Sequence, residues 1–278
     1  MATLYVSDLD GTLLTPQAAL SAYTRTQIAA IVAAGIPFAI ATSRSIDSVR
    51  AILGPLSLSL PVIEFNGAYV TDLATGQPAV INAIEPAIAE DLFSLAALTQ
   101  LAPIVSSYCS GANCNSYTQV THAGLQWLSR DVQQRKGKPW RRLSRYQEIL
   151  SEPIVRLTLV DTEPRLSELE QLIHERYPGI LATHLFENPY QPNWYWLTVE
   201  DRRANKGSGI REVQALRGLQ DHQITVFGDH NNDIPMFQIA DTALAMENAT
   251  DRLKQHATEV IGHHSADSVA KYLSQAVG

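Results

Sequence analysis

Two carboxylates one residue apart, directly after the first apolar run, constrain this chain more than any other feature of it. The stretch reads Val6-Ser7-Asp8-Leu9-Asp10-Gly11-Thr12-Leu13-Leu14. Thr3 to Val6 is β-branched, aromatic and uncharged, which predicts a short strand, and Asp8 and Asp10 stand where that strand must end. Burying an unpaired carboxylate inside a strand costs several kcal/mol, so the pair belongs at a strand end that needs it. Gly11 permits a tight turn close to a ligand, and Thr12 adds a hydroxyl. These residues alone also fit a solvated strand-to-helix turn in which one Asp caps a helix.

Asp8 to Leu14 resembles the first motif of the haloacid dehalogenase-like phosphohydrolases. The resemblance implies that Asp8 is the phosphate-accepting nucleophile and Asp10 the general acid/base.

Composition allows such an enzyme and excludes several other classes. The chain has 278 residues, 45% hydrophobic and 18% charged, enough for one large or two medium globular domains. A net charge of −7 argues against a nucleic-acid groove. No run of about 18 apolar residues predicts a membrane span. No leader is expected, since Asp8 and Asp10 interrupt the first apolar stretch and no Lys or Arg precedes them. Cys109 and Cys114 are too few for a disulfide framework or a zinc site, so reduced thiols and a cytoplasmic location are expected. In that compartment the sequon Asn248-Ala249-Thr250 would go unmodified.

The first 81 residues alternate strand and helix. A helix containing Ile28, Ile31 and Val32 follows the capping pattern Thr24-x-x-Gln27 and stops at Gly35 and Pro37. Strands are expected at Phe38 to Ala41 and Pro61 to Phe65, separated by a helix with Ile46, Val49, Ile52 and Leu53 on one face. The pattern predicts an α/β fold with a parallel, Rossmann-like sheet whose ligands bind beyond the carboxyl ends of the strands. Thr42-Ser43-Arg44 and Asn66-Gly67 fall at two such ends. By resemblance, Thr42 is the second motif, gripping a phosphoryl oxygen with its hydroxyl and nearby backbone N–H groups. Ser43 departs from the Thr-Gly-Arg usual there. Read from the residue alone, Thr42 is equally a helix cap.

From 82 to 199 the pattern changes to an α+β unit. Helices are expected around Ile88 to Leu98 and over 164–177, with strands near Ile104–Tyr108, Asn115–Val120, Ile154–Val160, Ile180–Phe186 and Trp194–Val199. The unit resembles the inserted cap of the family's Cof-type branch, which leaves 1–81 and 200–278 as the core.

Where the core resumes, Asn205-Lys206-Gly207 opens a helix. A lysine opposes the dipole at a helix N-terminus, which favours an anionic partner over a structural role, although a solvated Lys also fits. By resemblance Lys206 is the third motif. The strand Ile224 to Phe227 ends in Gly228-Asp229-His230-Asn231-Asn232-Asp233, which matches the fourth motif, with Asp229 as metal ligand and Asp233 completing or supporting the shell. Hard carboxylate oxygens suit Mg²⁺. His230 reads as a surface neighbour. Ala243 to Met246 and Asn248-Ala249 also resemble the family, whereas His263-His264-Ser265-Ala266-Asp267 replaces a glycine-containing stretch.

The reading that follows is a Mg²⁺-dependent phosphatase acting on a small phosphorylated metabolite, sugar phosphates first, through an aspartyl-phosphate. The expected catalytic residues are Asp8 and Asp10, and the expected metal ligands Asp8, Asp10, Asp229 and Asp233. Substrate contacts are expected from Gly11, Thr12, Thr42, Ser43, Arg44, Asn66, Lys206 and Asn232. A phosphosugar mutase of the same superfamily is the alternative, and a non-catalytic phospho-receiver module the more distant one. Seven of the 21 basic residues lie between Arg130 and Arg145 beside Trp140, either as a solvated segment or as a patch that attracts an anionic substrate.

Overall fold

The computed structural model describes residues 2–120, 124–126, 140–187 and 193–277. The chain forms two units, 1–81 with 203–278 and 82–202.

The first unit begins with β1 (Thr3–Ser7), α1 (Ala22–Ala33), β2 (Phe38–Ile40), α2 (Ile46–Leu53), β3 (Val62–Glu64), β4 (Tyr69–Thr71) and β5 (Pro78–Ile81). The second unit runs α3 (Pro86–Leu98), β6 (Ile104–Cys109), β7 (Ala112–Tyr117), β8 (Arg141–Arg142) and β9 (Ile154–Asp161). It ends with α4 (Glu163–Arg176), β10 (Leu181–Glu187) and β11 (Tyr195–Asp201). The chain then returns to the first unit through α5 (Lys206–Arg217), β12 (Gln223–Gly228), β13 (Thr242–Met246), β14 (Glu259–Ile261) and α6 (Ser268–Val277).

Five strands of the first unit pair in parallel in the order β14-β13-β12-β1-β2. A parallel sheet covered on both faces needs apolar side chains on both, and β2 supplies them by alternation. Phe38 and Ile40 pack with Ile28, Ile31, Val269 and Leu273 of α1 and α6, while Ala39 and Ala41 pack with Ile210 and Val213 of α5. Complete burial of Ile210 and Val213 contributes about 1.5–3 kcal/mol each. Register sets Ser7 beside both Ile40 and Phe227, so Asp8, Thr42 and Asp229 emerge from one edge of the sheet.

The third expected parallel strand is only marginally one. β3 touches the sheet through a single bridge, Ala41 to Ile63, and pairs instead in an antiparallel sheet β3-β4-β5. The cap of α1 is Ser21 and not Thr24: Ser21 is extended and its Oγ accepts the Thr24 amide at 3.0 Å. Thr24, one turn inside, donates its hydroxyl to Asp267 instead.

The second unit is a six-stranded sheet, β10-β11-β9-β6-β7-β8, antiparallel except at β7–β8. Its core lies between the sheet and α3 and α4, with Leu92, Leu166 and Ile173 against Leu157, Leu159 and Leu197. The β6–β7 turn falls at Ser110-Gly111, and β7 starts at Ala112, three residues before the expected Asn115. That hairpin brings the Cα atoms of Cys109 and Cys114 to 5.9 Å, within bridging range, and the two form a disulfide. The expectation of reduced thiols is therefore wrong: cysteine number was weighed without the hairpin geometry. The argument from thiols to a cytoplasmic location loses its premise. Among the described residues no helix is long and apolar enough to cross a membrane.

Part of the basic segment is structural. Arg141 donates Nη1 and Nη2 to the two oxygens of Glu152 at 2.8 and 2.7 Å and Nε to Ser116. Trp140 packs against a small cluster of Ile104, Leu125 and Val160. Arg130, Arg135, Lys136 and Lys138 lie outside the described residues.

Candidate active site

After β1 the chain makes one wide turn over Leu9–Leu13, closed by the Leu14 amide on the Leu9 carbonyl at 2.9 Å. Leu9 and Leu13 are buried and anchor the turn, which leaves Asp8 extended at the strand end. Gly11 has φ +70°, and a Cβ there would lie 2.2 Å from Asp229 Oδ2. Glycine is required on both counts, since it alone lets the turn close on Asp229. Thr12 Oγ1 then donates to Asp229 Oδ1 at 3.1 Å.

Lys206 is the first residue of α5, and its side chain is completely buried. Nζ donates to Asp8 Oδ1 at 2.7 Å and to Asp233 Oδ1 at 2.6 Å. The other oxygen of Asp233 accepts the amides of Asp229 and His230 at 2.9 and 3.0 Å. Asp233 thus shapes the loop after β12 and fixes the ammonium at once. Gly228 makes room for this, because a Cβ on it would meet the Asp233 carboxylate at 2.7 Å.

Carboxylate oxygens of Asp8, Asp229 and Asp233 all lie within 4.8 Å of one another. Burial raises Asp8 from 3.8 to about 7; Lys206 pulls it down, and Asp233 and Asp229 push it up. Burial, helped by Asp233, raises Asp229 as well, against the Thr12 hydrogen bond and Lys206. Burial opposes the charge on Lys206 too, yet Asp233 and Asp8 outweigh it and hold the ammonium above its ordinary range. Three carboxylates therefore share one ammonium in a site largely shielded from water. That negative excess and all-oxygen donor set fit a hard divalent cation.

Asp10 takes a different place from the one expected of a metal ligand. Its carboxylate is held by Arg44 and is not among the three that converge. Arg44 in turn donates Nη1 to Ser48 at 3.0 Å. Thr42 is fully buried, its hydroxyl accepting the Arg44 amide at 3.2 Å, and Ser43 is exposed. Asn232 Nδ2 donates to Asn66 Oδ1 at 3.0 Å.

Sequence reasoning gave no role to two supporting residues. Glu64, buried and with its pKa raised by that burial, accepts the Ile46 amide and the Thr71 hydroxyl, which ties α2 to β3 and β4. Asn248 donates to the Gly11 carbonyl at 2.8 Å and accepts the His264 amide, and His264 Nδ1 donates to the Leu14 carbonyl at 2.7 Å. The loop at 263–267 thus braces the turn after Asp8. A lone acid at the end of an apolar run was a visible signal for Glu64; Asn248 stood out only within a segment that resembles the family, with no role attached.

The chain is similar to named phosphatases over nearly its whole length. A 5-amino-6-(5-phospho-D-ribitylamino)uracil phosphatase of Bacillus subtilis is 25% identical over 295 residues, covering 96% of both chains. A pyridoxal phosphate phosphatase of Escherichia coli is 26% identical over 274 residues, covering 96% of this chain and 95% of its own. The crystal structure of a Thermotoga maritima protein superposes with a TM-score of 0.77 at 23% identity, covering 99% of this chain and 97% of that one. The family match extends through both units, which a receiver module of about half the length does not. Over residues 5–273 the chain matches the haloacid dehalogenase-like hydrolases, and it belongs to that family.

Proposed function

We propose that the protein is a Mg²⁺-dependent phosphatase of small phosphate monoesters that works through an aspartyl-phosphate on Asp8. One observation carries the reading: a strand-end carboxylate, Asp8, is held by a buried ammonium within 4.8 Å of two further carboxylates. Attack by a carboxylate on a dianionic phosphate needs positive charge beside it, and Lys206 supplies one such charge. Asp8 and Asp229, with Asp233 behind them, would hold a divalent cation, which when bound offsets the charge of the phosphoryl oxygens.

Asp8 attacks phosphorus in line, and the bond from phosphorus to the leaving oxygen breaks as the new bond forms. Asp10, protonated on one oxygen once substrate displaces that half of its contact with Arg44 and still held by Arg44 through the other, gives its proton to the departing alcohol. It then takes a proton from the water that attacks the aspartyl-phosphate, which releases inorganic phosphate and regenerates Asp8. Thr42, with backbone groups of the Thr42–Arg44 loop and of the Gly11–Thr12 turn, holds the phosphoryl oxygens. Arg44 orients Asp10, and Asn232 meets phosphate or substrate.

The two relatives named above act, by their names, on a phosphorylated sugar-alcohol derivative and a phosphorylated cofactor. Both support small phosphorylated metabolites as the substrate class here. The test is phosphate release from a panel of phosphorylated metabolites in Mg²⁺, with Asp8→Asn as control. Release from at least one small ester, lost in the variant, supports the reading; release from none, or release unchanged in the variant, overturns it.

A further inference from the structure

The turn that follows β3 is held in an unusual backbone conformation. Phe65 has φ +48° and Asn66 φ +58°, the only adjacent non-glycine residues in the left-handed region among those described, and Gly67 follows at φ +103°. An aromatic residue seldom adopts that conformation, and such outliers persist only where surrounding contacts impose them. Here the contacts are with three different loops of the site. The Phe65 amide donates to the Arg44 carbonyl at 3.2 Å, and the Asn66 amide to the Thr42 carbonyl at 2.9 Å. Gly67 abuts the residue that caps α5, where a Cβ would meet the Asn205 carbonyl at 2.3 Å, next to Lys206. The Asn66 side chain reaches the loop after β12 and accepts from Asn232 Nδ2.

We infer that Asn66 is a positioning residue: its amide oxygen fixes which way the Asn232 amide faces, and its backbone fixes the Thr42 loop. This rests on the phosphatase reading and assigns Asn66 a role other than direct substrate contact. An asparagine amide can turn over and exchange donor for acceptor, but in a bond between two amides they can turn only together, so the orientation of Asn66 dictates that of Asn232. With Asn66 Oδ1 as the acceptor, the Asn232 amide nitrogen faces Asn66, and its oxygen and remaining N–H are aimed by that choice. Asparagine is suited to the position because it tolerates positive φ better than other side chains of its reach.

Substitution separates the two duties of Asn66. Asn66→Gly keeps the left-handed backbone and removes only the amide, and Asn66→Ser does the same less completely and serves if the glycine variant folds poorly. The experiment is a double-mutant cycle with Asn232→Ala, read as kcat/KM and, independently of turnover, as the Kd of inorganic phosphate measured by calorimetry in Mg²⁺. Each single variant is expected to lose about 10- to 100-fold in kcat/KM and to weaken phosphate binding. The double variant should be no worse than Asn232→Ala alone, because the two act as one unit. Losses that multiply in the double variant, or an Asn66→Gly enzyme equal to the parent in both readouts, overturn the inference. A parent that binds phosphate but hydrolyses no ester overturns the phosphatase reading instead, and the binding cycle still judges Asn66.

Discussion

The guanidinium of Arg44 grips both carboxylate oxygens of Asp10, Nε on Oδ2 at 2.7 Å and Nη2 on Oδ1 at 2.6 Å. The side chains are 29% and 47% exposed, so the pair contributes at most about 1 kcal/mol to stability, and its value lies in aiming Asp10. Arg44→Ala should leave the melting temperature nearly unchanged and lower turnover. The loss should be larger for an alkyl phosphate, whose leaving group needs a proton, than for an activated aryl phosphate. Arg44→Lys should not restore the rate, because an ammonium cannot make the two-pronged contact. Equal losses on both substrates would remove Arg44 from the proton-transfer step.

Lys206 is tied to stability far more tightly. Its ammonium is fully buried between Asp8 and Asp233, and removing it strands two carboxylates away from water. Lys206→Met should cost about 3–5 kcal/mol in denaturant unfolding, besides abolishing turnover. Unfolding that matches the parent would mean that the carboxylates find other compensation.

Asp8 gives the opposite expectation. Burial has raised its pKa, so its ionised form is a net burden on the fold near and above pH 7. Asp8→Asn removes that charge and leaves Lys206 paired with Asp233. Without added metal at pH 8, the variant should melt at or above the parent's temperature while its steady-state hydrolysis disappears. A large drop in melting temperature would show that the Lys206 contact dominates over burial.

Residues of the site were legible in the sequence where the chemistry is local. Asp8, Thr42 and Asp229 each follow an apolar strand, and parallel pairing carries all three to one edge. Lys206 was readable as out of place at a helix start, but its burial depends on Asp233, which lies 27 residues away in sequence. The bracing of the Asp8 turn by Asn248 and His264 spans more than 200 positions, and no periodicity announces it. The Cys109–Cys114 disulfide escaped for a related reason: it depends on how tightly a hairpin turns, and β7 starts at Ala112, three residues before the expected Asn115, which puts Cys114 inside the strand.

Proton and metal compete for the same carboxylates, which sets a pH dependence with a definite sign. In the metal-free protein Asp8 rises from 3.8 to about 7, so the folded state holds a proton that the unfolded state has already released. The Asp8 contribution to stability is therefore fully present below the unfolded value, declines as pH rises from about 4 to 7, and is gone above it. A divalent cation reverses the trend. Below pH 7 it must displace the proton, so its affinity should rise by up to about tenfold per pH unit and flatten above 7. Thermal melts at pH 5.5 and pH 8, each with MgCl₂ and with EDTA, should show a larger Mg²⁺-induced rise in melting temperature at pH 8. EDTA should also stop hydrolysis, with Mg²⁺ restoring it. In Asp8→Asn the difference between the two pH values should shrink, because the competing proton is no longer there. A Mg²⁺ effect on melting that is the same at both pH values, or greater at pH 5.5, would take Asp8 out of the metal site and leave Asp229 and Asp233 as the carboxylates to test.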